Sequence, residues 1–121
     1  MYSDAMQPIF HLTTADCWAE AQASGEYRWS TRGKTLGEVG FIHGSYLEQV
    51  ERVADFVYAG LPTLLLLAID PQRLTAEIRV ENLDGGDELF PHIYGPLPVE
   101  AVIDVQTLHA DAAGRFRLPT A

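Results

Sequence analysis

Apolar and polar positions along the chain alternate with two different periods, and each period marks a different kind of element. PIFHL at 8–12 is a short β-type run. Thr13 then offers a hydroxyl and Asp16 a carboxylate three residues on, a capping-box-like start that predicts a helix over 14–24. Ala15, Trp18, Ala19 and Ala23 share one face at helical spacing, and Ser24-Gly25-Glu26 ends the helix. Residues 27–40 are polar, hold three glycines, and read as a surface loop with an extended start at Tyr27–Trp29. Phe41–His43 is extended again. Ser45 and Glu48 have the spacing of a full capping box, followed by a helical stripe of Leu47, Val50, Val53, Ala54, Val57 and Tyr58 that stops at Gly60-Leu61-Pro62.

The second half reads mainly as strands. Residues 63–70 carry a continuous apolar run and predict a central strand. Over 76–82 the alternation predicts a half-buried strand with Ile78 and Val80 inward and Glu77, Arg79 and Glu81 outward. Two adjacent glycines and three prolines make 83–98 a long loop, and long ordered loops in compact domains tend to be functional. Residues 100–111 and 114–119 bracket Ala112-Ala113-Gly114 as a closing hairpin. Two early helices and mostly late strands predict an α+β fold with a bent, mostly antiparallel sheet.

Composition narrows the function classes. A length of 121 residues, 47% apolar and without repeat or linker, suits a single domain over 1–121. The one cysteine, Cys17, sits in an apolar pattern and reads as a small core residue rather than a nucleophile, as expected of a reducing compartment. With no basic start and no export-length apolar stretch at the N-terminus, the expected location is cytoplasmic. The apolar run at 61–69 is too short for a bilayer, which takes about 20 residues. A net charge of −9 repels nucleic-acid phosphates and anionic lipid, so neither general nucleic-acid binding nor membrane association is expected. Arg28, Arg32 and Lys34 are a local exception, either a solvated loop or a phosphate site.

Histidine placement carries the candidate chemistry. His11, His43 and His92 each follow an apolar residue or proline and precede a turn or a helix start. A strand-end imidazole projects from a rigid scaffold and exchanges protons near neutral pH. Thr13 and Ser45, as caps, would set helix N-termini beside His11 and His43, a place suited to a phosphate or carboxylate. The alternative is that each histidine is a hydrogen-bonded structural residue. His109, near the hairpin, reads as surface or structural. No metal is expected, because no pair of ligands has zinc spacing. A serine hydrolase is disfavoured because His43-Gly44-Ser45 lacks the second glycine of a nucleophile elbow.

FHLTT, SGEYR, GFIHGS, EQVERVA, LLLLAIDPQRL and LFPHIYGPLPVEAV together resemble a small bacterial family, number 952 among the domains of unknown function. The resemblance covers about residues 8–110. That family is similar in fold to ADP-ribosyltransferases and to the RNA 2′-phosphotransferases that consume NAD, which implies a split, bent sheet gripping NAD as substrate. By the resemblance, His11 and Thr13 would hold a ribose hydroxyl and a phosphate, and His43 and Ser45 would line the nicotinamide-ribose side. Tyr27 would stack on a ring, and His92 and Tyr94 would supply polar groups at the cleft. The catalytic pair would be His43 and His92. A late-strand glutamate, which such transferases use to orient the ribose, has only Glu77, Glu81 and Glu100 as positional candidates, and alternation turns Glu77 and Glu81 away from the core face. Too few arginines are present for a 2′-phosphate, so RNA repair is disfavoured. Three readings stay open: a nucleotide-binding domain that cleaves the nicotinamide glycosidic bond, a non-enzymatic ligand- or protein-binding module that keeps the fold without the chemistry, and an acidic scaffold protein with no pocket.

Overall fold

A computed structural model describes residues 7–83 and 86–118; Asp84 and Gly85 of the expected loop and Pro119 of the expected hairpin lie outside them. The order of elements is β1 (Ile9–Thr13), α1 (Ala15–Ser24), β2 (Glu26–Tyr27), β3 (Trp29–Thr31), β4 (Lys34–Thr35), α2 (Leu36–Val39), β5 (Ile42–His43), α3 (Val50–Val57), β6 (Thr63–Ile69), β7 (Glu77–Glu81), β8 (Phe90–Tyr94), β9 (Leu97–Pro98) and β10 (Val102–His109). All pairings between these strands are antiparallel. They form two three-stranded sheets, β1–β6–β10 and β5–β8–β7, and the two-stranded pairs β2–β9 and β3–β4. The architecture is a small α+β domain, as the patterning implies.

The unbroken apolar run of β6 follows from burial on both of its faces. Leu64 and Leu66 pack with Leu12, Val50, Ala54 and Tyr58 beneath α3. Leu67 and Ile69 pack with Trp18, Ala21, Tyr27 and Ile93 on the α1 side. Each such side chain contributes about 1.5–3 kcal/mol on leaving water, which makes this strand the spine of the fold.

Several local expectations are corrected. Thr14, not Thr13, caps α1, its hydroxyl accepting from the Cys17 amide at 3.4 Å, because the Thr13 side chain is drawn into the core. The buried face of α1 is Trp18 and Ala21, while Ala15, Ala19 and Ala23 are exposed. The expected loop over 27–40 folds into the β3–β4 hairpin and α2; Gly33 turns the hairpin at φ +70°, and Thr35 with Glu38 forms a capping box. No capping box forms at Ser45: a single tight turn over Leu47–Gln49 precedes α3, and the Tyr46 amide donates to the Gln49 side chain at 2.9 Å. The expected loop after residue 83 contains β8, the central strand of its sheet, despite Pro91. β5 pairs with β8 only at His92 and Ile93, so the proline, one place earlier, interrupts no pairing with β5.

β1, β5 and β8 converge on Gly44. Phe10 and Ser45 exchange both backbone hydrogen bonds at 2.8 Å, and the Gly44 amide donates to the Pro91 carbonyl at 2.9 Å. A Cβ at position 44 would lie 2.5 Å from that carbonyl oxygen and 2.7 Å from Ile9 Cγ2. Only glycine lets the three strands approach this closely, which accounts for the glycine after His43.

Candidate functional site

The first cluster is internal. His11 Nδ1 lies 2.7 Å from the His43 carbonyl, His11 Nε2 lies 2.8 Å from the Tyr27 hydroxyl, and that hydroxyl lies 2.7 Å from Thr13 Oγ1. A carbonyl only accepts, so Nδ1 carries the proton. Burial away from water is the main cause that lowers the His11 pKa to about 4, partly opposed by the bond to His43, and the ring is therefore neutral near pH 7. Nε2 then accepts from Tyr27, and Thr13 donates to the phenol oxygen in turn. Burial likewise pushes the Tyr27 phenol well above its ordinary range. The chain of bonds runs from the Thr13 hydroxyl to the His43 carbonyl and ties β1 to β2 and β5.

The second cluster lies on the solvent side of β5–β8–β7. Register sets His43 opposite His92, Arg79 opposite His92, and Glu81 opposite Phe90. Alternation therefore puts Phe41, His43, Phe90, His92, Tyr94, Arg79 and Glu81 on one face. Phe41 stacks on His92 with centroids 4.1 Å apart, and His43 lies 5.2 Å from both His92 and Phe90. His92 Nδ1 donates to Glu81 Oε1 at 3.0 Å, and the Tyr94 hydroxyl donates to the same oxygen. Among the described residues Oε2 of Glu81 accepts no hydrogen bond. These bonds, Tyr94 first and His92 second, hold the Glu81 carboxyl below the usual range, so it is ionised near neutral pH.

Beside this face, a cleft of about 460 Å³ opens between β3, β5 and α3. Its lining includes Ser30, Phe41, His43, Arg52, Phe56 and Phe90. Phe56 is 88% exposed at the rim, an unusual cost for a phenyl ring with no partner. Arg52 grips both carboxylate oxygens of Glu88, with Arg52 Nη2 2.6 Å from Oε2. This bond is the main cause that takes the Glu88 pKa down to about 2.

Among the sequence candidates, His43 alone reaches the cleft wall, with His92 and Tyr94 on the adjoining face. His11, Thr13, Tyr27 and Ser45 are all buried, at 3%, 2%, 1% and 4% exposure. His92 is also buried, under the Phe41 ring. Hence the three histidines do come together, but only His43 faces open space. In the basic cluster, Arg28 pairs with Glu26 at 2.5 Å, and Arg32 donates at 3.1 Å to the Val57 and Ala59 carbonyls at the end of α3. These bonds serve structure rather than a phosphate. Cys17 packs against the core. Sequence reading held Glu81 only as one of three positional candidates with Glu77 and Glu100, and it missed Phe41, Phe90, Arg52 and Ser30. Had 90–94 been read as a strand, its alternation would have set His92 and Tyr94 beside outward Glu81.

Among the described residues no helix is long and apolar enough to cross a membrane. No curated protein matches the chain. Its fold is similar to the crystal structure of CC0527 from Caulobacter crescentus, with a TM-score of 0.80 and 32% identity over 92% of this chain and 94% of that one. The solution structure of CC0527 is similar too, with a TM-score of 0.75 and 33% identity over 91% of each chain. Residues 12–105, which take in the cleft and both clusters except His11, match one family, and the chain belongs to it: the family described as protein of unknown function DUF952.

Proposed function

We propose that this domain binds NAD or a related nucleotide across the cleft and the adjoining face of β5–β8–β7, and cleaves the nicotinamide glycosidic bond. The fold would then be of the ADP-ribosyltransferase kind that the motifs resemble. Glu81 carries the reading. One oxygen of its carboxylate is fixed by two donors from β8 while the other is left to accept from a ligand hydroxyl. It would fill the place of the late-strand glutamate, for which the sequence offered Glu77, Glu81 and Glu100 by position only.

The chemistry balances without a further reactant except water. As the C1′–N1 bond breaks, its electron pair leaves with the pyridinium, which departs as neutral nicotinamide. The ribosyl cation is stabilised by the ionised Glu81, and preorganised charge of this kind is typically worth 10²–10³ in rate. Water adds at C1′ and passes its proton to His43, the imidazole at the junction of cleft and face. His92, covered by Phe41, acts as a positioning residue for Glu81.

The second reading, a binding module without turnover, is favoured by a different observation: His11, Thr13 and Tyr27 satisfy one another and offer no free group to a ribose or phosphate. Nicotinamide release from NAD distinguishes the two. Release that falls at least 100-fold in His43→Ala supports the enzyme, whereas NAD binding with no release in the native protein supports the module.

A further inference from the structure

We propose that Ser30 is the polar anchor of the cleft, and that the group it anchors is an uncharged heteroaromatic ring of the purine kind. The inference rests on the nucleotide reading above and adds an orientation to it: the neutral base lies in the cleft and the cationic end lies over Glu81.

Ser30 is fully buried, it lines the cleft, and among the described residues its hydroxyl has no hydrogen-bond partner. Buried hydroxyls are nearly always paired, because an orphan forfeits the bonds it had with water. Tyr27, Thr13 and Tyr58 all follow that rule in this protein. An exception on the wall of a cleft is explained when a ligand completes it. A serine hydroxyl both donates and accepts, and its three staggered χ1 positions let it turn toward an occupant. It therefore suits the edge of a ring that carries a donor beside an acceptor.

The rest of the lining sets the ring's shape and charge. Phe41, Phe56 and Phe90, with valines of α2 and α3, offer flat apolar contact. Among the described residues the ionisable groups on the wall are Arg52 and His43, and no carboxylate lines it. A pyridinium there would sit beside the Arg52 guanidinium, whose carboxylate partner, Glu88, is already engaged by it. Across Phe41, the other face presents Glu81. The two halves thus suit the two ends of a dinucleotide, the neutral end in the cleft and the cationic end over the carboxylate. A cleft of about 460 Å³ lies within the usual range for small-ligand sites.

Adenosine and nicotinamide riboside, titrated separately into native protein, Ser30→Ala and Phe56→Ala, test this by NMR and thermal melting. Adenosine is expected to shift Phe41, His43 and Phe90 resonances. Ser30→Ala is expected to weaken it about tenfold, the value of one hydrogen bond, while the melting temperature stays level or rises because an orphan hydroxyl is gone. Phe56→Ala, at an exposed position, is expected to weaken adenosine severalfold without altering stability. Unchanged adenosine affinity in Ser30→Ala overturns the inference, as does a cleft that prefers nicotinamide riboside or takes no adenosine at millimolar concentration. Nicotinamide release from NAD by the native protein judges the broader reading separately: release beside an unchanged adenosine affinity in Ser30→Ala removes the anchor and leaves that reading standing.

Discussion

His11 donates from Nδ1 to the backbone carbonyl of His43 at 2.7 Å, across 32 positions of sequence. One of the sequence's three candidate histidines thereby fixes the backbone of another, and a buried neutral imidazole becomes part of the fold's stability. The folded pKa of about 4 lies below the ordinary histidine value of 6.5, so the unfolded chain binds more protons between these values and stability rises with pH. The contribution is fully present above about pH 6.5 and is lost as pH falls toward 4. Integrated over that window it amounts to about 3 kcal/mol. Urea unfolding of native protein and His11→Gln at pH 4.5 and 7 checks this: the difference between the two proteins is expected to be larger at pH 7.

Tyr27→Phe leaves His11 Nε2 and the Thr13 hydroxyl without partners inside the core. The expected loss is about 2 kcal/mol. Adding Thr13→Val removes one orphan, so the double variant is expected to lose about 1 kcal/mol less than the sum of the single losses. Denaturant midpoints of the four proteins in the cycle measure the coupling.

Gly44→Ala drives a methyl group into the Pro91 carbonyl and Ile9. Because the first contact is backbone and cannot swing away, a loss of about 3 kcal/mol is expected. Thermal melting reads it. Gly37→Ala, where nothing approaches closer than 4.0 Å, is the control and is expected to melt with the native protein.

How much of this was legible in the sequence depends on whether the signal was local. β6 announced itself because burial on both faces permits only apolar residues, and α3 announced itself by its stripe. The histidine positions were legible because strand ends are marked by the turn residues that follow them. β8 was hidden: Pro91, Pro96 and Pro98 read as loop, and only its pairing with β7 on one side and with β5, far back in the sequence, on the other makes it a central strand. Glu81 was hidden for a related reason. Alternation correctly turned it away from the core, but only the pairing of β7 with β8 reveals that this outer face carries His92 and Tyr94. Ser45 illustrates the opposite failure. Its capping-box spacing is a local signal, overridden when its backbone paired with Phe10.

Glu81→Gln keeps the shape of the side chain and removes its charge. If the carboxylate acts on the ribosyl cation, nicotinamide release is expected to fall 10²–10³-fold while the Kd for NAD rises by far less, severalfold, as the ground-state attraction to the cationic ring is lost. Single-turnover kinetics beside calorimetric binding separate the two effects; equal losses in both would instead make Glu81 a binding residue.

The most direct test of the central claim is an NMR titration with NAD that follows the histidine rings. The account expects the His43 ring signals to move first and furthest, His92 to follow through Glu81, and the enclosed His11 ring to stay nearly still. Unmoved His43 signals at millimolar NAD would contradict a nucleotide site on this face.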